Sequence, residues 1–271
     1  MLAGFILTLR EGLEAALIIG ALLGALRKLE SSEGKREIWL GTAAAIVLSI
    51  LTGISLNLLG MSFEGRAEEI FEGITMILAA GVLTWVLFWM RSQSQNIQSE
   101  LESGVTRALA RNSGWALFSL AFLAIIREGV ELAFFLTAAA VDTRISSILI
   151  GASLGLATTV VLALLLFNSL IRLNLARFFQ VTSLILVLFA AGLVAHGVHE
   201  FNEVGLIPAI IEQVWDINHI LDENSSLGQL LKSLLGYNGN PSLSEVLAYL
   251  VYLIGIGVYT FVDRKKLSDI R

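Results

Sequence analysis

Arg10-Glu11-Gly12-Leu13-Glu14 decides how this chain folds. The stretch sits in the middle of the first apolar run, Met1 to Leu26, and returns as Arg127-Glu128-Gly129-Val130-Glu131 in the middle of a later run. A charged group at the centre of a membrane helix costs about 2.5–3.5 kcal/mol or more. Charged groups that recur twice in one order therefore point to a task, and the usual task is an ion path. On a helix, Glu11 and Glu14 share a face about one turn apart, and Arg10 can pair along it with Glu14. Gly12 has no side chain, so a second helix can approach closely there. Glu128, Glu131, Arg127 and Gly129 repeat each relation. If the arginines merely paired with glutamates to fix packing, two carboxylates would be left over. A bound cation offsets that excess charge; apolar packing does not.

Working outward, the 271 residues are 56% hydrophobic and 15% charged, with mean hydropathy +0.79. A soluble domain carries about a quarter charged residues, and several runs here reach the roughly 20 apolar residues that span a bilayer. The expected class is an all-α integral membrane protein. The net charge of −5 comes with no basic patch, which argues against a nucleic-acid partner. The absence of cysteine excludes thiolate metal sites, disulfides and iron–sulfur clusters. Three histidines are too few for a copper oxidase site, and no enzyme activity is expected. The N-terminus lacks a basic region, so the first run reads as a retained span and not a cleaved signal.

Seven spans are expected, at about 2–26, 38–60, 67–90, 114–140, 145–170, 179–201 and 243–262. The second and fifth are nearly continuous Ala, Ile, Leu, Val and Gly and read as lipid-facing scaffold. Basic residues set the orientation. Arg27, Lys28, Lys35, Arg36, Arg91, Arg107, Arg111, Arg172, Arg177, Arg264, Lys265, Lys266 and Arg271 fall on one side, and Arg66, Arg144 and Lys232 on the other. The N-terminus is therefore expected outside and the C-terminus in the cytoplasm, in a cell (inner or plasma) membrane.

The two motifs are offset by 117 residues, and Ala79-Ala80-Gly81 recurs as Ala190-Ala191-Gly192, offset by 111. The difference matches the shorter connection between spans four and five. Three spans are an odd number, so the second copy enters from the opposite side. The expected fold is an inverted 3+3 repeat plus one extra helix, with a site at the midplane between repeats. The divisions are 1–90 (first repeat), 91–112 (cytoplasmic interfacial helix), 113–201 (second repeat), 202–242 (extracytoplasmic loop with short helices) and 243–271 (seventh span and tail).

Two segments read as non-spanning. Ile97, Leu101, Val105, Ala108 and Leu109 recur at helical spacing among polar residues, which suggests a helix lying on the cytoplasmic membrane surface. In the outer segment, Pro208 is placed to start a helix carrying Ile210, Ile211, Val214, Trp215 and Leu221, and a second short helix is expected over Leu227–Leu235. Asn238-Gly239-Asn240-Pro241 is a turn signal, and Ser242 with Glu245 reads as a capping box.

Glu11, Glu14, Glu128 and Glu131 together make a set of hard oxygen ligands, suited among transition metals to iron or manganese. Arg10 and Arg127 hold the carboxylates ionised and oriented. Further candidate ligands are Glu69 and Glu72, which with Glu68 open span three, and His199 and Glu200 with His196 at the outer end of span six. Acids at a helix N-terminus also suit its dipole, and His196, His199 and Glu200 also read as an ordinary interfacial cluster. Glu64, Asp142, Glu203, Glu212, Asp216, Asp222 and Glu223 make the outer face acidic, as a cation-attracting vestibule or as solvated loop residues. Trp85 and Trp89 suit an interface, while Tyr249, Tyr252 and Tyr259 suit packing within the bundle.

Two Arg-Glu-Gly-x-Glu motifs in spans one and four of a seven-span chain resemble the oxidase-dependent iron transporter family, which includes fungal iron permeases and bacterial iron and lead permeases. The resemblance covers the whole chain as an architecture, and both motifs stand unaltered. It implies iron binding and translocation by Glu11, Glu14, Glu128 and Glu131, with Arg10, Arg127, Gly12 and Gly129 in support. Glu69-x-x-Glu72 looks like an additional acidic motif of that family. Iron is then a transported substrate, with no permanently bound cofactor. The chain carries neither a large N-terminal outer domain nor an extended acidic tail. A bare permease is therefore expected, working with a separate extracytoplasmic iron-binding or oxidase/peroxidase-like protein or with none. Transport of manganese or lead, and a non-transporting metal-sensing subunit, remain open beside iron import. The iron oxidation state, the driving force and the oligomeric state stay open as well.

Overall fold

The computed structural model describes residues 1–29, 34–60, 64–93, 97–111, 113–141, 144–168, 174–223 and 225–268. Asp142, Arg172 and Arg271 lie outside the described residues, as do the side chains of Trp89, Arg91, Arg264, Lys265 and Lys266. The described residues form α1 (Leu2–Lys28), α2 (Lys35–Gly60), α3 (Arg66–Gln93), α4 (Ile97–Ala110), α5 (Gly114–Val141), α6 (Ile145–Phe167), α7 (Leu175–Glu203), α8 (Ser226–Leu235) and α9 (Leu243–Ser268), with no strand among them.

Among the described residues, five helices are long and apolar enough to cross a membrane: Lys35–Leu59, Arg66–Phe88, Ile145–Phe167, Leu175–Glu203 and Leu243–Val262. α1 and α5 match them in length, at 27 and 28 residues, but each carries an Arg and two Glu at mid-length. Large apolar side chains cover the outside of α2 (Ile46, Val47, Ile50, Leu51, Ile54) and of α6 (Leu149, Leu154, Val161, Leu164). Such continuous apolar exposure suits hydrocarbon as the solvent.

The chain forms two compact units, one of Met1–Leu59 with Trp85–Thr182, the other of Gly60–Thr84 with Ser183–Arg271. In the first, α1 packs along α6 and also against α5 and α4. Small residues set the α1–α6 contact. Gly4 meets the backbone of Ile148 and Ala152, Gly12 meets Thr159, and Gly20 meets Phe167. These contacts advance in step along both helices, so α1 and α6 run parallel. α2 and α5 do the same, with Gly41 on Phe118 and Phe122, Gly129 on Ser49, and Gly53 on Ala133.

At one end of this unit, Leu22, Ala25 and Leu26 of α1, Ile38 of α2, Leu101, Val105 and Ala108 of α4, and Leu117 and Ala121 of α5 form one buried apolar cluster. The end of α1 thus meets the start of α5, which makes those two helices antiparallel. The apolar stripe of α4 is real, and its Leu101, Val105 and Ala108 are covered by protein. Lys28 reaches Glu102 of α4 at 3.4 Å on the exposed rim.

In the second unit, Gly73 of α3 packs on Phe201 of α7, Gly197 packs on Ile77, and Arg66 Nη2 donates to the Val204 carbonyl at 3.1 Å. The pairing order makes α3 and α7 antiparallel. α8 is capped at both ends. Ser225 Oγ accepts the Gly228 N–H, and Gly236 takes a left-handed φ of 66° that suits glycine. Gly236 lies against Gly192 so tightly that a Cβ on Gly192 would stand 2.5 Å from its Cα. Gly192 is about 16 Å from the end of α7, at 1.5 Å per residue. The Tyr249 hydroxyl of α9 donates to the Leu235 carbonyl at 2.9 Å, and the Tyr252 and Thr84 hydroxyls lie 2.6 Å apart.

No helix starts at Pro208. Ile210 has a φ of 64°, which an α-helix excludes. The segment instead satisfies its backbone at a distance. Val214 N–H donates to Pro241, Ile217 N–H to Gly239, and Leu243 N–H to the Ile211 carbonyl. The capping box at α9 forms as read. Ser242 N–H donates to Glu245 Oε1 at 3.1 Å, and Glu245 N–H to Ser242 Oγ at 3.3 Å.

Candidate metal centre

α1 and α5 bring the two motifs together inside the first unit. Within each, the arginine spans the carboxylates one and four residues ahead. Arg10 Nη1 lies 2.5 Å from Glu11 Oε1 and Nη2 3.2 Å from Glu14 Oε1. Arg127 Nη2 lies 2.5 Å from Glu128 Oε1 and Nε 3.4 Å from Glu131 Oε1. The two halves differ in exposure, with the Arg10 side chain 1% accessible and the Arg127 side chain 31%.

This pairing uses one oxygen of each carboxylate. The Oε2 atoms of Glu11, Glu128 and Glu131 are buried and accept no hydrogen bond among the described residues. Oxygens of these three residues lie within 4.8 Å of one another. Buried polar atoms nearly always find partners, so residues that keep an unpartnered oxygen here and converge in this way suit a positive guest. Glu14 is buried beside them on Arg10 but is not one of the three.

Close helix crossing makes this convergence possible. A Cβ on Gly12 would stand 2.7 Å from Thr159 Oγ1, and a Cβ on Gly129 would collide with Ser49 Oγ. Both hydroxyls turn back to their own helix, Thr159 to the Gly155 carbonyl and Ser49 to that of Ala45. The sequence shows why the motif glycines matter but does not name these two partners.

The remaining candidates belong to the second unit. Glu69 and Glu72 are half-buried on the first turns of α3, whose N-terminal end packs on the C-terminal end of α7, where His199 and Glu200 lie. His196 is buried, with Nδ1 on the Gly192 carbonyl at 2.9 Å. His199 Nδ1 lies 3.0 Å from Glu245 Oε1, and its Nε2 lies 3.4 Å from Glu203 Oε1. Glu245 is therefore more than a capping residue. Asn238 Nδ2 also donates to it, at 2.7 Å. No local pattern signals the His199 contact, because the partners are 46 residues apart.

Residues 1–263 match the iron permease FTR1 family. The ferrous iron permease EfeU of Escherichia coli O6:K15:H31 (strain 536 / UPEC) is 42% identical over 257 residues, which cover 94% of this chain and 93% of that protein. Its namesake from Yersinia pestis is 36% identical over 268 residues, covering 98% and 95%. No solved structure matches. Family and relatives are permeases, not enzymes. A multi-pass helical chain matched over nearly its whole length in this way belongs to the iron permease FTR1 family.

Proposed function

We propose that the chain imports ferrous iron through the site formed by Glu11, Glu14, Glu128 and Glu131. The observation that carries this reading is the gathering of Glu11, Glu128 and Glu131 oxygens within 4.8 Å, each residue keeping a buried Oε2 with no hydrogen-bond partner among the described residues. Two guanidinium groups against four carboxylates leave an excess of two negative charges when all are ionised, which a divalent ion neutralises. The arginines occupy one oxygen of each carboxylate and so limit how tightly the ion is held, as release requires. The relatives' name, ferrous iron permease, favours the same oxidation state.

The proposed frame is a pair of inverted three-helix repeats, residues 1–90 and 113–201, with α9 as a seventh span and the N-terminus outside an inner membrane. Reciprocal contacts support it. The motif offset that carries Gly12 to Gly129 also carries Met1 and Phe5 to Phe118 and Phe122. Gly151 packs on the first pair and Gly41 on the second. Parallel α1–α6 and α2–α5 pairs, with α1 and α5 antiparallel, follow from that topology. For a divalent ion the membrane potential then contributes roughly 4.6 kcal/mol per 100 mV toward entry.

The test is uptake of radioactive iron into liposomes holding this protein alone, with iron kept ferrous by reductant or supplied as a ferric chelate. Uptake of ferrous iron that is abolished in Glu14→Ala and Glu131→Ala, with the protein still inserted, is the expected result. Equal uptake by those variants would remove the site. Competition by manganese, zinc and lead ions reads selectivity, and tight binding without flux would mark a sensor.

A further inference from the structure

We propose that His199 and Glu203 form a second metal site, a capture point for a divalent transition-metal ion, with Glu245 as the carboxylate that orients the imidazole. Its placement on the extracytoplasmic face rests on the orientation proposed above; the site itself rests on local geometry. Glu245 is buried on the first turn of α9, where the Ser242 N–H and Asn238 Nδ2 also donate to it. It is thus a fixed acceptor, 3.0 Å from His199 Nδ1. With Nδ1–H donating to it, the neutral ring keeps its lone pair on Nε2. Metal-bound histidines almost always donate their second nitrogen to such a carboxylate, which sets the tautomer and raises ligand basicity.

Nε2 lies 3.4 Å from Glu203 Oε1 on the same face of α7, and the two side chains are 41% and 52% exposed. Two ligand atoms about 2.0–2.2 Å from one ion, at near-tetrahedral angles, lie roughly 3.4 Å apart. The separation of the pair therefore matches that of two ligands on one ion, and its exposure leaves room for water to complete the shell. An imidazole with a carboxylate prefers ferrous, manganous or zinc ions to calcium or magnesium. That is a softer set than the all-carboxylate cluster of α1 and α5. A half-exposed pair with two protein ligands binds weakly and exchanges fast, as a collecting point should. The competing account is an imidazolium bridging two carboxylates, which would hold α7 to α9 and bind nothing.

The experiment uses the full chain in lipid nanodiscs with manganous ion alone, read by electron spin-echo for coupling to imidazole nitrogen. A nitrogen-coupled ion is expected in the unaltered protein, lost in His199→Gln and kept in Glu11→Gln/Glu128→Gln. The last variant separates failure here from failure of the carboxylate cluster. Glu245→Gln retains an acceptor for Nδ1–H and is expected to weaken this site at least tenfold. Glu203→Gln, at an exposed position that folding tolerates, is expected to weaken it about tenfold while nitrogen coupling persists. No nitrogen coupling in the unaltered protein, coupling that survives His199→Gln, or unchanged affinity in Glu203→Gln would overturn the assignment.

Discussion

Gly12 of α1 and Thr159 of α6 touch so closely that a single methyl group on Gly12 would lie 2.7 Å from the Thr159 hydroxyl. Gly12→Ala must therefore push α6 outward. Overpacking of this kind costs about 1–3 kcal/mol, and here it also disturbs the placement of Glu11 and Glu14. Thermal unfolding should show the loss, and iron uptake should fall with it. Thr159→Ala removes the two nearest atoms, Oγ1 and Cγ2, and leaves Cβ 3.2 Å away, so the double variant should recover much of the stability. A double variant no better than Gly12→Ala alone would show that the contact is not the cause.

Arg10 and Arg127 hold equivalent places but differ in accessibility, 1% against 31%. Removing one partner of a buried ion pair costs about 3–5 kcal/mol, because the other charge is stranded. Arg10→Gln is expected in that range, and Arg127→Gln clearly below it, since water reaches the second site. Lys28→Ala breaks the exposed pair with Glu102 and should stay within about 1 kcal/mol of the unaltered protein. Denaturation of the three variants in one detergent gives the order, and equal losses for the two arginines would contradict it.

The chain has no cysteine, so single cysteines report sidedness without background. Lys28 and Glu212 are both exposed. With the N-terminus outside, a membrane-impermeant thiol reagent added to intact cells should label Glu212→Cys and leave Lys28→Cys untouched until the membrane is opened. The reverse pattern would invert the topology.

Ser242 caps α9 through its hydroxyl, which also lies 3.1 Å from Asn202 Oδ1 and 3.0 Å from Ser244 Oγ. Ser242→Ala should cost about 1–2 kcal/mol. Ser242→Thr keeps the hydroxyl and should lose less. Both follow from thermal melts.

Helix type and extent were readable because apolar runs and the charged motifs are local signals, and the apolar surfaces of α2 and α6 follow from composition alone. The motif spacing told which carboxylates share a face. What lay beyond reach was long-range. Periodicity in α4 announces a covered face, but Leu101 and Val105 cannot say whether lipid or α1 does the covering. The spacing of Ile210, Val214 and Leu221 imitates a helix, while the Val214 and Ile217 amides find carbonyls more than twenty residues away. Glu245 shows its capping role in a four-residue window and hides its bond to His199, 46 residues upstream.

The Gly192–Gly236 contact brings the end of α8 down beside the body of a long apolar helix. Backbone in hydrocarbon has no water to fall back on. The Tyr249 hydroxyl and the terminal amides of Gly236 and Tyr237 supply the partners instead. α8 thus behaves as a stopper seated in its own neck, with two absent side chains as the clearance. Any residue larger than glycine at either position would lift it, and the turn that follows, back toward the water.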